Sequence, residues 1–286
     1  MTDAHYHRDG SATFLTVGGR EFRFYGVHPW EAARAGRAPY QGGEWEAARA
    51  GRAPYQGGEC EAARAGRAPY QGGECAADAS ARRPYQDGEF VAELRAALEA
   101  DAHSGVGEIG LDRLKNRVID PAQRAVFAAQ LEVAAEYHRP VVLHGAKCWG
   151  EVVAACRPYA GRIPAFLFHG FSRSGGLLPD IAALNGFVGV GAALLNDHAV
   201  NYRALVKEIP LERLLLETDA DYASSLKRQE CRFPDGRPHI GEAALSPLSP
   251  TPGEVLAKLA EIRGMQPEML EAAVDANAAR FVEVLA

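Results

Sequence analysis

Six side chains able to hold a divalent cation recur along this 286-residue chain at one kind of place, the downstream end of a short apolar run. Asp3-Ala-His5-Tyr-His7 sets two imidazoles two residues apart, a spacing that projects both to one side of a strand. Glu108 follows in Gly-Glu-Ile-Gly-Leu-Asp, His144 closes Val-Val-Leu-His, His169 closes Phe-Leu-Phe-His, and Asp219 closes Leu-Leu-Glu-Thr-Asp. Hard and borderline divalent metals take this mixture of imidazole and carboxylate, and six such groups suffice for two ions sharing a bridging carboxylate. Two ions about 4 Å apart lower the pKa of a shared water and stabilise charge on attacking and leaving oxygens, so hydrolysis is the expected chemistry. Any one of these groups can equally be a strand-end cap or a hydrogen-bonded histidine; their recurrence at successive strand ends argues for a site. Glu108 and Asp219 are the candidate catalytic residues. Asp219 either accepts the proton of the attacking water while holding a metal, or serves purely as a ligand.

Around this set stand residues with two readings each. Lys147 and Arg173, just past His144 and His169, either neutralise phosphate oxygens or are solvated loop cations. His28 either touches substrate or belongs to an ordinary His-Pro turn. Asp9 and Asp112 are candidates to orient a ligand imidazole. Trp149 and Phe171, beside the two cations, are candidate rim surfaces on which bases can stack. His103, His138, His198 and His239 fall outside strand ends and are expected at the surface.

The elements that must position these groups alternate in type. Strands are expected at Asp3 to His7, Ala12 to Val17, Glu21 to Val27, Gly105 to Ile109, Pro140 to His144, Ala165 to His169, Gly186 to Val190 and Arg213 to Thr218. Gly18-Gly19 marks a hairpin between the second and third. Helices are expected at Phe90 to Ala100, Pro121 to His138, Trp149 to Cys156, Leu177 to Leu184, Ala199 to Val206, Thr251 to Arg263 and Pro267 to Leu285. This βα alternation predicts an α/β fold with a parallel sheet, and a parallel barrel would gather the strand ends at one mouth. Residues 222–250, rich in Arg, Pro, Gly and Ser, read as a long loop.

From Trp30 to Glu89 the sequence repeats with a period of fifteen: the first two units are identical, the third differs at its first residue, and the fourth is a decayed copy. Stacked repeat proteins bury a core between units, but these units carry almost no large aliphatic residue. The expectation is one hydrolase domain over residues 1–286, with residues 30–89 a mobile insertion in a loop, expanded by in-frame duplication.

In combination, the chemical pieces resemble the TatD family of metal-dependent hydrolases. The matching stretches are Asp3-Ala-His5-Tyr-His7, Gly26-Val-His28-Pro29, Gly107-Glu108-Ile-Gly-Leu-Asp112, Gln123-Arg124 with Gln130-Leu131, Val142-Leu143-His144, Phe168-His169-Gly-Phe-Ser172, Leu216-Glu217-Thr218-Asp219 and Asn277-Ala-Ala-Arg280-Phe281. The resemblance implies a distorted TIM-like (β/α) barrel, two divalent ions (Zn, Mg or Mn) and phosphodiester hydrolysis, often of DNA. It also implies His5, His7 and Asp219 on one ion, His144 and His169 on the other, and Glu108 between them. The chain departs from the family between His7 and Gly26, where members carry a helix and strand and this chain has only a short stretch, so one βα unit is expected to be shortened. It also departs after His144, after His169 and at Ala220-Asp221-Tyr222, positions that bear on the substrate rim.

The formal charge of −6 and the absence of any Lys/Arg run exclude a broad basic face for sequence-independent nucleic-acid binding. Metal charge in a cleft can nonetheless attract phosphate. Met1 to Gly10 has no apolar h-region and no apolar run is long enough for a bilayer, so a cytoplasmic protein without membrane contact is expected. Five cysteines, an odd number, do not make a disulfide framework. Three functions follow from this reading: hydrolysis of DNA ends or small phosphodiesters, with no obligate protein partner; the same metals acting on a non-nucleic-acid ester, lactone or amide; or a degenerate binding protein without turnover.

Overall fold

Strand β5 (Val141–Ala146) shows how the sequence builds the molecule. Val141 and Leu143 face outward into a core shared with helices, Val142 faces inward, and His144 takes the next inward position. The computed structural model describes residues 1–7, 13–32, 88–114, 118–172, 175–221 and 251–286. Asp9, Arg173, His239, the loop 222–250 and repeat residues 33–87 lie outside the described residues, as do the side chains of His5 and His7.

The strands are β1 (Asp3–His7), β2 (Thr13–Val17), β3 (Arg20–Tyr25), β4 (Gly105–Asp112), β5, β6 (Phe166–Phe168), β7 (Gly186–Val190), β8 (Leu214–Leu216) and β9 (Ala220–Asp221). They form one sheet in the order β8-β7-β6-β5-β4-β3-β2-β1-β9. β8 and β9 are successive parts of one passage of chain: β8 pairs with β7, and β9 pairs in parallel with β1, Tyr6 opposite Ala220 and His7 opposite Asp221. The sheet therefore rolls into a TIM-like barrel closed by a last strand that bends between its two halves.

The parallel sheet expected from the βα alternation is present, and the expected Gly18-Gly19 hairpin adds one antiparallel strand to it. β3 to β8 run parallel, but β2 is antiparallel to both β1 and β3. The reason is local. Gly18 (φ 56°) and Gly19 (φ 78°) join Val17 to its partner Arg20 in a two-residue turn with both centres at positive φ, the hairpin turn that glycine serves. Between β1 and β3 the described residues thus carry a hairpin strand in place of a helix, in line with the expected shortening of one βα unit.

The helices are α1 (Glu89–Ala100), α2 (Pro121–Glu136), α3 (Trp149–Cys156), α4 (Leu178–Ala183), α5 (Val200–Glu208), α6 (Pro252–Arg263) and α7 (Pro267–Phe281). Start signals are visible in sequence: Asp120 accepts the Ala122 N–H with Pro121 at the first helical position, and Thr251 and Glu254 form a reciprocal capping box. No helix among the described residues is long and apolar enough to cross a membrane.

Inside the barrel, Leu15, Phe24, Val142, Leu167, Phe187 and Leu215 form an apolar layer, sealed below by Phe281 of α7. The Phe281 ring stacks on Phe24 (centroids 5.9 Å apart) and meets Phe187 edge-on at 5.8 Å. Asn277, one turn earlier, donates to the carbonyls of Leu211 and Leu214 (2.7 and 2.8 Å) and fixes the helix against β8. Removing a plug of this size typically costs about 3–5 kcal/mol.

Candidate metal centre

Two residues beyond the apolar layer, each strand presents its next inward side chain. Val142 leads to His144, Leu167 to His169, Phe187 to Gly189 and Leu215 to Glu217. Phe24 leads through Gly26 to His28, and β4 contributes Glu108. The polar groups thus gather just beyond the apolar layer, at the C-terminal mouth of the parallel strands.

Glu108 stands at the centre. Its Oε1 lies 2.6 Å from His144 Nδ1, 3.6 Å from His169 Nε2 and 3.8 Å from His28 Nε2, and its side chain is almost wholly buried. The ligand atoms of His28, Glu108 and His144 all fall within 4.8 Å of one another, a grouping that fits a single divalent cation in both spacing and donor chemistry. Asp219 reaches the same group from the closing strand, with Oδ2 3.9 Å from His169 Nε2 and about half of its side chain exposed. Of the six ligands read from sequence, Glu108, His144, His169 and Asp219 thus stand in one cluster. His28, read as a substrate contact or a turn residue, stands with them. Exposed Lys147 follows β5 in a left-handed conformation (φ 58°), its carbonyl accepting from Arg113 Nε at 3.2 Å. His103, His138 and His198 are exposed.

A ring of partners holds these groups in place. Asp112 Oδ2 accepts from Trp30 Nε1 at 2.8 Å and lies 2.9 Å from His144 Nε2, so His144 is bracketed by two carboxylates. Burial raises the Asp112 pKa, but the Leu114 N–H, His144 and Trp30 more than offset it and hold the carboxyl below its ordinary range. Burial likewise opposes a charge on His144; hydrogen bonding and attraction to Glu108, with help from Asp112, prevail and raise its pKa. His169 is the stronger case. Burial lowers its pKa, yet Glu217 and Glu108, with Asp219, push it up to about 10.

Glu217 was not singled out by sequence reasoning, which assigned the Glu-Thr-Asp motif to Asp219 alone. Its Oε1 accepts the Gly170 N–H at 2.7 Å and lies 3.2 Å from His169 Nδ1, on the far side of the ring from Glu108. Its Oε2 is buried with no hydrogen-bond partner among the described residues. Gly189 makes room for it, since a β-carbon there would sit 2.0 Å from that oxygen. Counting by two from inward-facing Leu215 would have found it. Glu217 and Asp219 also border a cavity of about 340 Å³ with His169, Gly191, Tyr202 and Thr218.

Two glutamines of α2, seven residues apart and so on one face, pin the loops that carry the site. Gln130 accepts the Val27 N–H (2.6 Å) and donates to the Val27 carbonyl (3.1 Å), beside His28. Gln123 accepts the Asp112 N–H at 2.9 Å. The expected rim aromatics require correction. Trp149 and Phe171 are buried, with ring centroids 5.3 Å apart, because α3 lays Trp149 directly over Gly145.

Comparison with known proteins agrees with this geometry. Residues 12–283 match the family described as TatD related DNase. The chain belongs to that family. A 3'-5' ssDNA/RNA exonuclease TatD of Edwardsiella piscicida is 35% identical over 162 residues, covering 53% of this chain and 61% of the relative. The chain thus matches about three fifths of the length of its curated TatD relatives. The crystal structure of YJJV, a TatD homolog from Escherichia coli k12, superimposes with a TM-score of 0.52 at 27% identity, covering 67% of this chain and 69% of that one. An uncharacterized amidohydrolase from Saccharomyces cerevisiae, at 18% identity and a TM-score of 0.53 over 71% of this chain and 72% of its own, shares the fold. The TatD match reaches from β2 to the plug helix and spans every described side chain of the candidate metal centre.

Proposed function

We propose that this TatD-family chain is a cytoplasmic, metal-dependent phosphodiesterase, and that it removes nucleotides from the ends of single-stranded nucleic acid, the activity named for its relatives. The observation that carries the reading is the convergence of His28, His144 and His169 on one oxygen of Glu108. In this reading His5, His7 and Asp219 would hold one divalent ion (Zn, Mg or Mn) and His144 and His169 a second, with Glu108 available to both and His28 beside them toward the substrate. Bound divalent ions supply a water of lowered pKa and counter-charge for the attacking and leaving oxygens. Buried, unbridged Cys148 and Cys156 accord with a reducing compartment.

The chain's own residues do the rest. Asp219, the most exposed acid of the cluster, accepts the proton of the attacking water and is free to pass it to solvent. Glu217 and Asp112 orient His169 and His144 from behind, which keeps one side of each imidazole committed to the protein. Lys147, at the mouth, and Arg173 beyond β6 meet phosphate oxygens.

The test combines metal content with a substrate panel. Purified protein is expected to retain close to two equivalents of metal and to cleave single-stranded DNA in preference to simple carboxylic esters, lactones and amides. Asp219→Asn and His144→Ala are expected to abolish metal-stimulated cleavage, and His144→Ala to lower the metal content. Protein that binds no metal and cleaves nothing would support a degenerate member instead, and preference for an ester or amide would move the assignment to that class.

A further inference from the structure

We propose that Trp30 is the surface on which the terminal base of the nucleic-acid substrate stacks, an inference that rests on the nuclease reading above. A base needs a flat π-face beside the hydrolytic centre, presented to solvent and held still. Trp149 and Phe171 cannot offer one, being sealed in the core. Trp30 can: it is 53% exposed, and its ring meets His28 edge-on with centroids 4.7 Å apart and stands 6.3 Å from the His144 ring.

Exposure of a single large apolar residue is ordinary on a protein surface and argues nothing by itself. What sets Trp30 apart is that its orientation is fixed from below. The indole N–H donates to Asp112 Oδ2 at 2.8 Å, the oxygen that also faces His144 Nε2, and that carboxylate is buried. With one edge anchored, the ring loses the rotational freedom that would otherwise oppose stacking, so little ordering remains to be done on binding. The ring stands steeply inclined to both imidazoles, at 68° to His28 and 71° to His144, so it forms a side wall of the cluster. A base lying on that wall sets its sugar-phosphate near Glu108. Every base has a π-face, so the wall serves ends of any sequence, in keeping with an enzyme that degrades progressively.

Trp30 thus has two separable functions, stacking through its ring and support of Asp112 through its N–H. The experiment uses the full chain with its metal and two single-stranded oligonucleotides that differ only at the end being degraded, one carrying adenine and the other an abasic sugar. The wild type is expected to favour the adenine end by about tenfold in kcat/KM, chiefly through KM, in the range seen for base–aromatic contacts. Trp30→Leu, which keeps apolar bulk but no ring, is expected to lose that preference. Trp30→Phe, which keeps a ring but no N–H, is expected to retain most of it while kcat falls. In chelator-treated protein, quenching of tryptophan fluorescence by the adenine-ended strand is expected to disappear in Trp30→Phe, although Trp45 and Trp149 remain. A folded Trp30→Leu variant that keeps the wild-type preference would overturn the inference, as would equal cleavage of both ends by the wild type. Failure of the wild type to cut either strand would instead remove the nuclease reading on which it stands.

Discussion

Asp3 accepts both the backbone N–H of Thr218 (3.0 Å) and its hydroxyl (2.7 Å), which fastens the first strand of the barrel to the bend in the last. Both residues are buried, so solvent cannot replace either bond. The next residue, Asp219, sits in a left-handed conformation (φ 53°), and the clamp holds the backbone there. Asp3→Ala is therefore expected to destabilise the fold by about 2–3 kcal/mol, as for buried hydrogen bonds to a charged group. It should also lower metal-stimulated turnover, because Asp219 loses its fixed position. Urea unfolding and steady-state kinetics check the two effects separately.

Glu217 supports His169 without facing Glu108. In Glu217→Gln the geometry is nearly preserved but the charge is gone. Apparent metal affinity is expected to fall by roughly 10–100-fold, the usual result of losing such a partner. Calorimetric metal titration gives the answer directly, and an unchanged affinity would show that Glu217 serves packing alone.

Protonation of the two bracketed imidazoles predicts how pH acts on chelator-treated protein. His144 is raised and His169 is pushed up to about 10, against an ordinary value of 6.5. Between those limits the folded state binds more protons than the unfolded one, so this contribution is complete below pH 6.5 and is lost as pH rises through about 10. Metal-free protein should thus unfold at progressively lower urea concentration from pH 6.5 to 10. Metal binding runs the other way, since both imidazoles must release protons to become ligands, and affinity should rise with pH. Titrations in buffers of different ionisation enthalpy count the protons released.

The repeat gives a fourth prediction. We read it as a loop insertion within a single domain, because its units lack the aliphatic residues a packed element needs. Deleting residues 45–74 removes two full periods and roughly halves the connection, which changes closure cost by only about 0.6 kcal/mol. Metal content, thermal midpoint and cleavage rate are expected to stay close to those of the full chain. Loss of folding would show that the units pack against the barrel.

Much of this arrangement was legible in the sequence because β-strand periodicity is local. The runs ending in His144, His169 and Asp219, the Pro121 and Thr251 helix starts and the Gly18-Gly19 turn each involve only near neighbours, and their types determine their form. Glu217 was equally accessible by counting from Leu215. Other features depended on partners far along the chain. Nothing within Asp3 to Tyr25 says that β2 will pair on both sides and stand in for a crossover; that depends on the barrel needing a strand there to close. His28 and Trp30 gain their meaning from Glu108 and Asp112, roughly eighty residues away. Trp149 and Phe171 lose their expected role because α3 turns Trp149 inward, over Gly145 and against Phe171. Residue type and spacing determined which groups can bind metal, whereas the curvature of the sheet decided which of them meet, because distance through space is fixed only when the strands close into a ring.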